Sequence, residues 1–107
     1  MTTFDDRERA AENHFALEQD MAFRVTARRN KLIGQWAAEL MKFSPEEADA
    51  YAKSVVQSDF EESGDEDVVR KILGDLTAAG VAIDDNGVRG QLAHQLLVAR
   101  QQLLEAN

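Results

Sequence analysis

The chain has no cysteine, a single proline at Pro45, two histidines and no apolar run near the ~20 residues needed to span a bilayer. Without cysteine there is no disulfide framework, no thiolate nucleophile and no zinc site of the usual kind. His14 and His94 stand far apart with no second histidine or cysteine four residues on, so surface roles are expected for both. Glycine is scarce and falls mostly near expected helix ends. Nothing alternates apolar and polar residues long enough to read as a strand. The start, Met1-Thr-Thr-Phe-Asp-Asp, lacks the basic and apolar regions of a signal peptide, so a cytoplasmic address without direct membrane insertion is expected.

The 107 residues fit one domain, and 44% apolar content fills one modest core. The net charge of −8 speaks against nucleic acid, whose phosphates would be repelled. The whole of that imbalance sits in residues 46–67, where nine carboxylates, from Glu46 to Asp67, face Lys53 alone. A solvated helix face is the expected use, with a docking surface for a basic partner as the alternative. The basic cluster Arg28-Arg29-Asn30-Lys31 is expected to pair with the acidic helix 46–62, or else with an anionic partner.

Helix boundaries follow from capping chemistry. Ser44-Pro45-Glu46-Glu47 is a capping box with proline at the first helical position, opening a helix to about Glu62 that Ser63-Gly64 stops. Asp65 is expected to cap the next helix, which ends at Ala79-Gly80. Asp84 or Asp85 caps the last, to about Glu105. Apolar stripes support all three: Ala48, Tyr51, Ala52, Val55, Val56 and Phe60 in one; Val68, Val69, Ile72, Leu73 and Leu76 in another; Val88, Leu92, Leu96, Ala99 and Leu103 in the last. Gly74 and Gly90 fall inside helices, where glycine costs ~1 kcal/mol, and close helix–helix approach is the expected reason.

The first helix is anomalous. Phe4 to about Met41 contains no proline and only Gly34, so it reads as a helix of roughly 55–60 Å, against roughly 20–30 Å for each of the others. A bundle covers only the part lying alongside its partners. Val25, Leu32, Ile33, Trp36, Ala37 and Leu40 form a full stripe, with Trp36 as a core anchor. Before Ala22 the stripe thins to Phe4, Ala11 and Phe15, interrupted by Glu8 and Glu18, and twelve of the first 31 residues are charged. The expected architecture is an all-α four-helix bundle (residues 21–107) with an overlong, partly mobile N-terminal helix. Its first part (residues 1–20) is expected to bind a partner as a helix in a groove.

Catalysis finds no support. There is no G-x-S-x-G, no glycine-rich phosphate loop, and no dry pocket to separate the pKa values of the exposed carboxylates. Asp84-Asp85-Asn86-Gly87 fails as a calcium loop, because aligning Gly87 with the sixth position puts Ala82 first and Ala93 twelfth. No metal, cofactor or catalytic residue is expected.

Thr3-Phe-Asp-Asp-Arg-Glu, Glu12-Asn, and Ala27-Arg-Arg-Asn-Lys-Leu-Ile-Gly-Gln-Trp-Ala-Ala-Glu resemble the zeta inhibitor subunit family of bacterial F-type ATP synthases. The likeness continues through Glu47-Ala-Asp-Ala-Tyr-Ala-Lys-Ser-Val-Val, Asp59-Phe-Glu-Glu and Gly64-Asp-Glu-Asp-Val-Val-Arg-Lys, over essentially the whole chain. The resemblance implies a non-enzymatic inhibitor of ATP hydrolysis, peripheral to the membrane through the ATP synthase head. It also implies insertion of the N-terminal helix between catalytic subunits, with alpha, beta and gamma as partners. Phe4, Asp5, Asp6, Arg7 and Glu8 would then form the inserting tip, with Glu12, Asn13 and Phe15 in the following turns. Two alternatives stay open: an assembly adaptor binding through the acidic helix, and a bundle that binds a small ligand such as a nucleotide.

Overall fold

The computed structural model describes residues 3–59 and 65–105, and the side chains of residues 19–58 and 65–105. Four helices follow one another: α1 (Thr3–Leu40), α2 (Pro45–Asp59), α3 (Glu66–Ala78) and α4 (Asp85–Glu105). No strand occurs among the described residues. This is the expected all-α bundle, with α1 as its spine: among the described residues α1 touches each of the other three helices, α3 touches α2 and α4, and α2 and α4 do not meet.

The capping chemistry formed largely as expected. Glu47 N–H donates to Ser44 Oγ at 3.2 Å and Ser44 N–H to Glu47 Oε1 at 3.1 Å, so the box at the start of α2 is closed in both directions. At α4 the cap is Asp84, whose carboxylate accepts from Gly87 N–H at 2.8 Å, while Asp85 pairs with Arg89. Asp65 stands at the N-cap of α3 as expected, with its carbonyl accepting from Val69 N–H at 3.0 Å, but its side chain makes no cap bond and instead pairs with Arg29 Nη1 at 3.0 Å. A buried cation within reach outcompetes an amide that can turn to solvent. Gly80 takes the left-handed conformation (φ 82°), and Val81 N–H reaches back to Leu76 O at 2.9 Å, closing α3. Lys42 does the same for α1 (φ 62°) with Phe43 N–H on Ala38 O, at a position where no glycine signalled it.

The core is built by Ile33 and Ala37 of α1, Val55 of α2, Val68, Val69, Ile72 and Leu76 of α3, and Val88 and Leu92 of α4. Trp36, Tyr51 and Leu73 pack against it from partly buried positions, Trp36 as expected. Each fully buried Ile or Leu contributes roughly 1.5–3 kcal/mol over exposure. Leu40, placed on the stripe by spacing, is 40% exposed because the chain turns away at Met41.

The glycines correct the sequence reading. A Cβ on Gly74 or Gly90 would meet nothing within 4 Å, so neither marks a close approach. Gly34 does: a Cβ there would stand 2.7 Å from the Ala52 Cα. α1 and α2 therefore touch nearly backbone to backbone, at the one α1 position that can allow it.

Candidate functional site

The residues expected to meet a partner, Phe4, Asp5, Asp6, Arg7, Glu8, Glu12, Asn13 and Phe15, all lie on α1. Their side chains, like those of His14, Glu18 and the segment Phe60–Gly64, fall outside the described ones. The backbone supplies the relevant geometry. α1 is continuous over 38 residues, about 57 Å at 1.5 Å per residue, in a molecule measuring 65 × 25 × 21 Å. The last turn of α4 comes level with residues 21–23 of α1: Leu104 lines one groove with Met21 and Ala22, and Leu103 another with Phe23. From there α1 runs on through residues 3–20, a further ~27 Å.

The bundle holds that helix through polar links as well as through the core. Arg29, 5% exposed, crosses to Asp65 at the start of α3, and its Nε and Nη2 donate to Asn30 Oδ1 at 3.1 and 2.9 Å. Asn30 is fully buried and its Nδ2 has no acceptor among the described residues, a cost of ~1–3 kcal/mol accepted to seat the guanidinium. From the other side, Arg89 of α4 bonds both carboxylate oxygens of Glu66, at 2.9 and 2.7 Å. This contact holds the Glu66 carboxyl below its ordinary value. The start of α3 is thus tied to α1 and to α4 by adjacent acids.

α2 and α3 are joined by Tyr51, whose hydroxyl donates to Asp75 Oδ2 at 2.7 Å. Lys71 Nζ shares that oxygen at 3.1 Å and lies 5.1 Å from the Tyr51 ring centre, while Phe43 meets the ring edge-on. Burial first, and then the Asp75 carboxylate, push the Tyr51 hydroxyl well above its ordinary range. Such a tyrosine stays protonated and acts as a strut.

The basic cluster is split by the helical period, and not in the expected way. Arg29 turns inward to Asp65, Arg28 reaches Gln102 of α4 at 3.4 Å, and Lys31 acts on Asp49 of α2 only through space. Glu47 is occupied by its cap and Asp49 by Lys53 at 2.9 Å, which draws both carboxyls below their ordinary values. Two open apolar grooves flank α1 where α4 ends, one with Phe23 and Leu103, the other with Met21 and Leu104. Sequence reasoning missed both, because each takes residues from helices distant in sequence. Leu104, 72% exposed and placed one beyond the expected α4 stripe at Leu103, was the available signal.

Among the described residues no group of three His, Cys, Asp or Glu side chains is placed to hold a metal ion. No described helix is long and apolar enough to cross a membrane.

Comparison with known proteins gives two positive findings. The family model described as ATPase inhibitor subunit zeta matches residues 1–102. A structure solved by solution NMR, 46% identical in sequence, superposes with a TM-score of 0.72 over 81% of this chain and 99% of its own. No curated protein sequence matches the chain.

Proposed function

The chain belongs to the ATPase inhibitor subunit zeta family, which gives it the role of an ATP synthase inhibitor, and we propose that it inhibits through the N-terminal part of α1. In this reading residues 1–20 form the inhibitory segment and residues 21–107 the bundle that carries it. The segment enters an interface between catalytic alpha and beta subunits, reaches the central gamma subunit, and blocks rotation in the direction of hydrolysis. Phe4, Asp5, Asp6, Arg7 and Glu8 meet the partner first, followed by Glu12, Asn13 and Phe15.

The observation that carries this reading is the ~27 Å of α1 lying N-terminal to the last turn of α4. Spacing supports it. Phe15 precedes Ile33 by 18 residues, five helical turns, so the stripe that the other helices cover in the bundle continues toward Phe15 and Phe4. A groove that buries two such rings gains roughly 1.5–3 kcal/mol from each, enough to order a segment otherwise rich in charge. Once ordered by the partner, a continuous helix also transmits force: a tip held by the rotor cannot move without the bundle moving with it.

The acidic-helix adaptor has less support. Glu47, one of its three contact residues, is already engaged in the reciprocal cap with Ser44. The test is ATP hydrolysis by the cognate head complex, with full-length protein and with residues 1–18 removed. Loss of inhibition by at least tenfold is expected for the shortened chain. Equal inhibition by both would discard the mechanism. Replacing Glu46, Glu47 and Asp49 by lysine should leave inhibition within about twofold, whereas the adaptor reading requires binding to be lost.

A further inference from the structure

The groove between α1 and α2 that the end of α4 closes carries a charge opposite to that of the whole molecule. Its apolar walls are Phe23 and Ala27 of α1, Val56 of α2 and Leu103 of α4. Around them stand Arg24, Arg28 and Lys31 of α1 and Lys53 of α2, and no carboxylate is among the described lining residues. Four of the twelve Lys and Arg side chains of a chain with net charge −8 therefore surround one apolar groove. Arg24, Arg28 and Lys31 follow one another at intervals of four and three, a ridge about 10 Å long over two turns. Lys53 faces it from the second helix.

The cations are only partly compensated. Arg24 pairs with Asp20 and Lys53 with Asp49, at 3.2 and 2.9 Å, but all four of these side chains are more than half exposed. Arg28 has a neutral partner, Gln102. Exposed pairs of this kind are weak and readily exchanged.

We infer that this groove docks an acidic amphipathic helix of the ATP synthase head, its apolar side on Phe23, Ala27, Val56 and Leu103 and its carboxylates on the basic ridge. The inference rests on the head complex being the partner, and adds a second contact to that of the N-terminal segment. Complementarity selects the occupant. The apolar floor asks for aliphatic or aromatic side chains, and the ridge asks for carboxylates one and two turns apart. A nucleic acid or an anionic membrane presents an extended negative field that repels a chain of net charge −8, whereas a single helix offers its carboxylates locally. A second copy of the chain brings the same net charge. Position selects the partner: Phe23 is only three residues from the end of the segment proposed to enter the head. Once the tip is bound, the groove sits at high effective concentration over the same surface.

The experiment uses the full chain and reads binding to the head complex separately from inhibition of hydrolysis. Arg28→Glu/Lys31→Glu is compared with Lys42→Glu/Arg70→Glu, an equal charge change away from the groove. The expected result is at least tenfold weaker binding for the groove variant and less than threefold for the control, with both melting near the parent. Benzoylphenylalanine at Ala27 should photocrosslink to a segment of a head subunit rich in Asp and Glu. Equal weakening of both variants, undiminished binding of the groove variant, or crosslinking to a second copy, to lipid or to a segment without acids overturns the proposal. The tip is judged by Phe4→Ala/Phe15→Ala. If that variant inhibits fully while the groove variant fails to bind, the tip mechanism falls and the groove stands; the converse result removes the groove alone.

Discussion

The two ends of the bundle cover apolar surface to different degrees. At the end where α1 turns into α2 and α3 into α4, Ile33, Ile72, Leu76 and Val88 are fully buried and Trp36 and Tyr51 close over them, while Leu40 and Phe43 at the turn stay 40 and 37% exposed. Toward the other end Phe23 and Leu104, 55 and 72% exposed, line open grooves, and Leu97 of α4 is 63% exposed. Both ends draw on the same four-helix pattern, but all four helices contribute to the first, whereas among the described residues the grooves at the second are lined by α1, α2 and α4 without α3. α3 ends its covering early, being 13 residues against 38 for α1 and 21 for α4. Burial is therefore concentrated at one end and open apolar surface at the other, next to the helix that leads out of the bundle.

Substitutions test that contrast most strongly at the closed end. Ile72→Ala should cost ~2–5 kcal/mol in denaturant unfolding, a large share of the ~5–15 kcal/mol typical of a domain. Leu97→Ser at the open end should change stability by less than about 0.5 kcal/mol. If the two cost the same, the division into ends is wrong. Gly34→Ala comes next: despite the better helix propensity of alanine, the 2.7 Å approach to the Ala52 backbone should make it destabilising by ~1–3 kcal/mol. Gly74→Ala, with nothing in its way, should instead stabilise by ~0.5–1 kcal/mol, and the opposite signs are the result to look for.

Tyr51→Phe removes the strut to Asp75 and should cost about 1 kcal/mol, read from the same unfolding curves. The smallest effect is the response to acid. Glu47 and Glu66 titrate below their ordinary value of 4.5 in the folded protein, the first through the Ser44 amide and hydroxyl, the second through Arg89. Their contribution is complete above the unfolded value and is lost as pH falls through the folded one. The melting temperature should hold between about pH 7 and 5 and decline below pH 4.5, and Glu47→Gln should shallow that decline. A fall beginning near pH 6 would point to groups other than these carboxylates.

Much of this architecture was legible in the order of residues, because local rules decide it. The capping box at Ser44 and Glu47, the glycine stop at Gly80 and the 3.6-residue stripes each place a helix without reference to any other part of the chain. The Lys42 turn escaped because a lysine rarely takes that conformation, and only the packing at either side imposes it. Arg28, Arg29 and Lys31 read as one basic cluster in the sequence. The period of α1 separates them, sending Arg29 to Asp65 in the interior and leaving the other two on a groove that Lys53 completes. The partner-binding residues Phe4 to Phe15 were proposed from spacing, charge and resemblance, and the continuous backbone of α1 is what gives them a common axis.

The sequence by itself determined the number and kind of elements, the length of α1 and the excess of acid, since propensity, capping and charge are properties of residues and their near neighbours. Only the tertiary structure decided which glycine is indispensable, which acid meets the buried arginine, and where the basic ridge faces an apolar floor. Those depend on how far one helix stands from another, a distance that no local pattern contains.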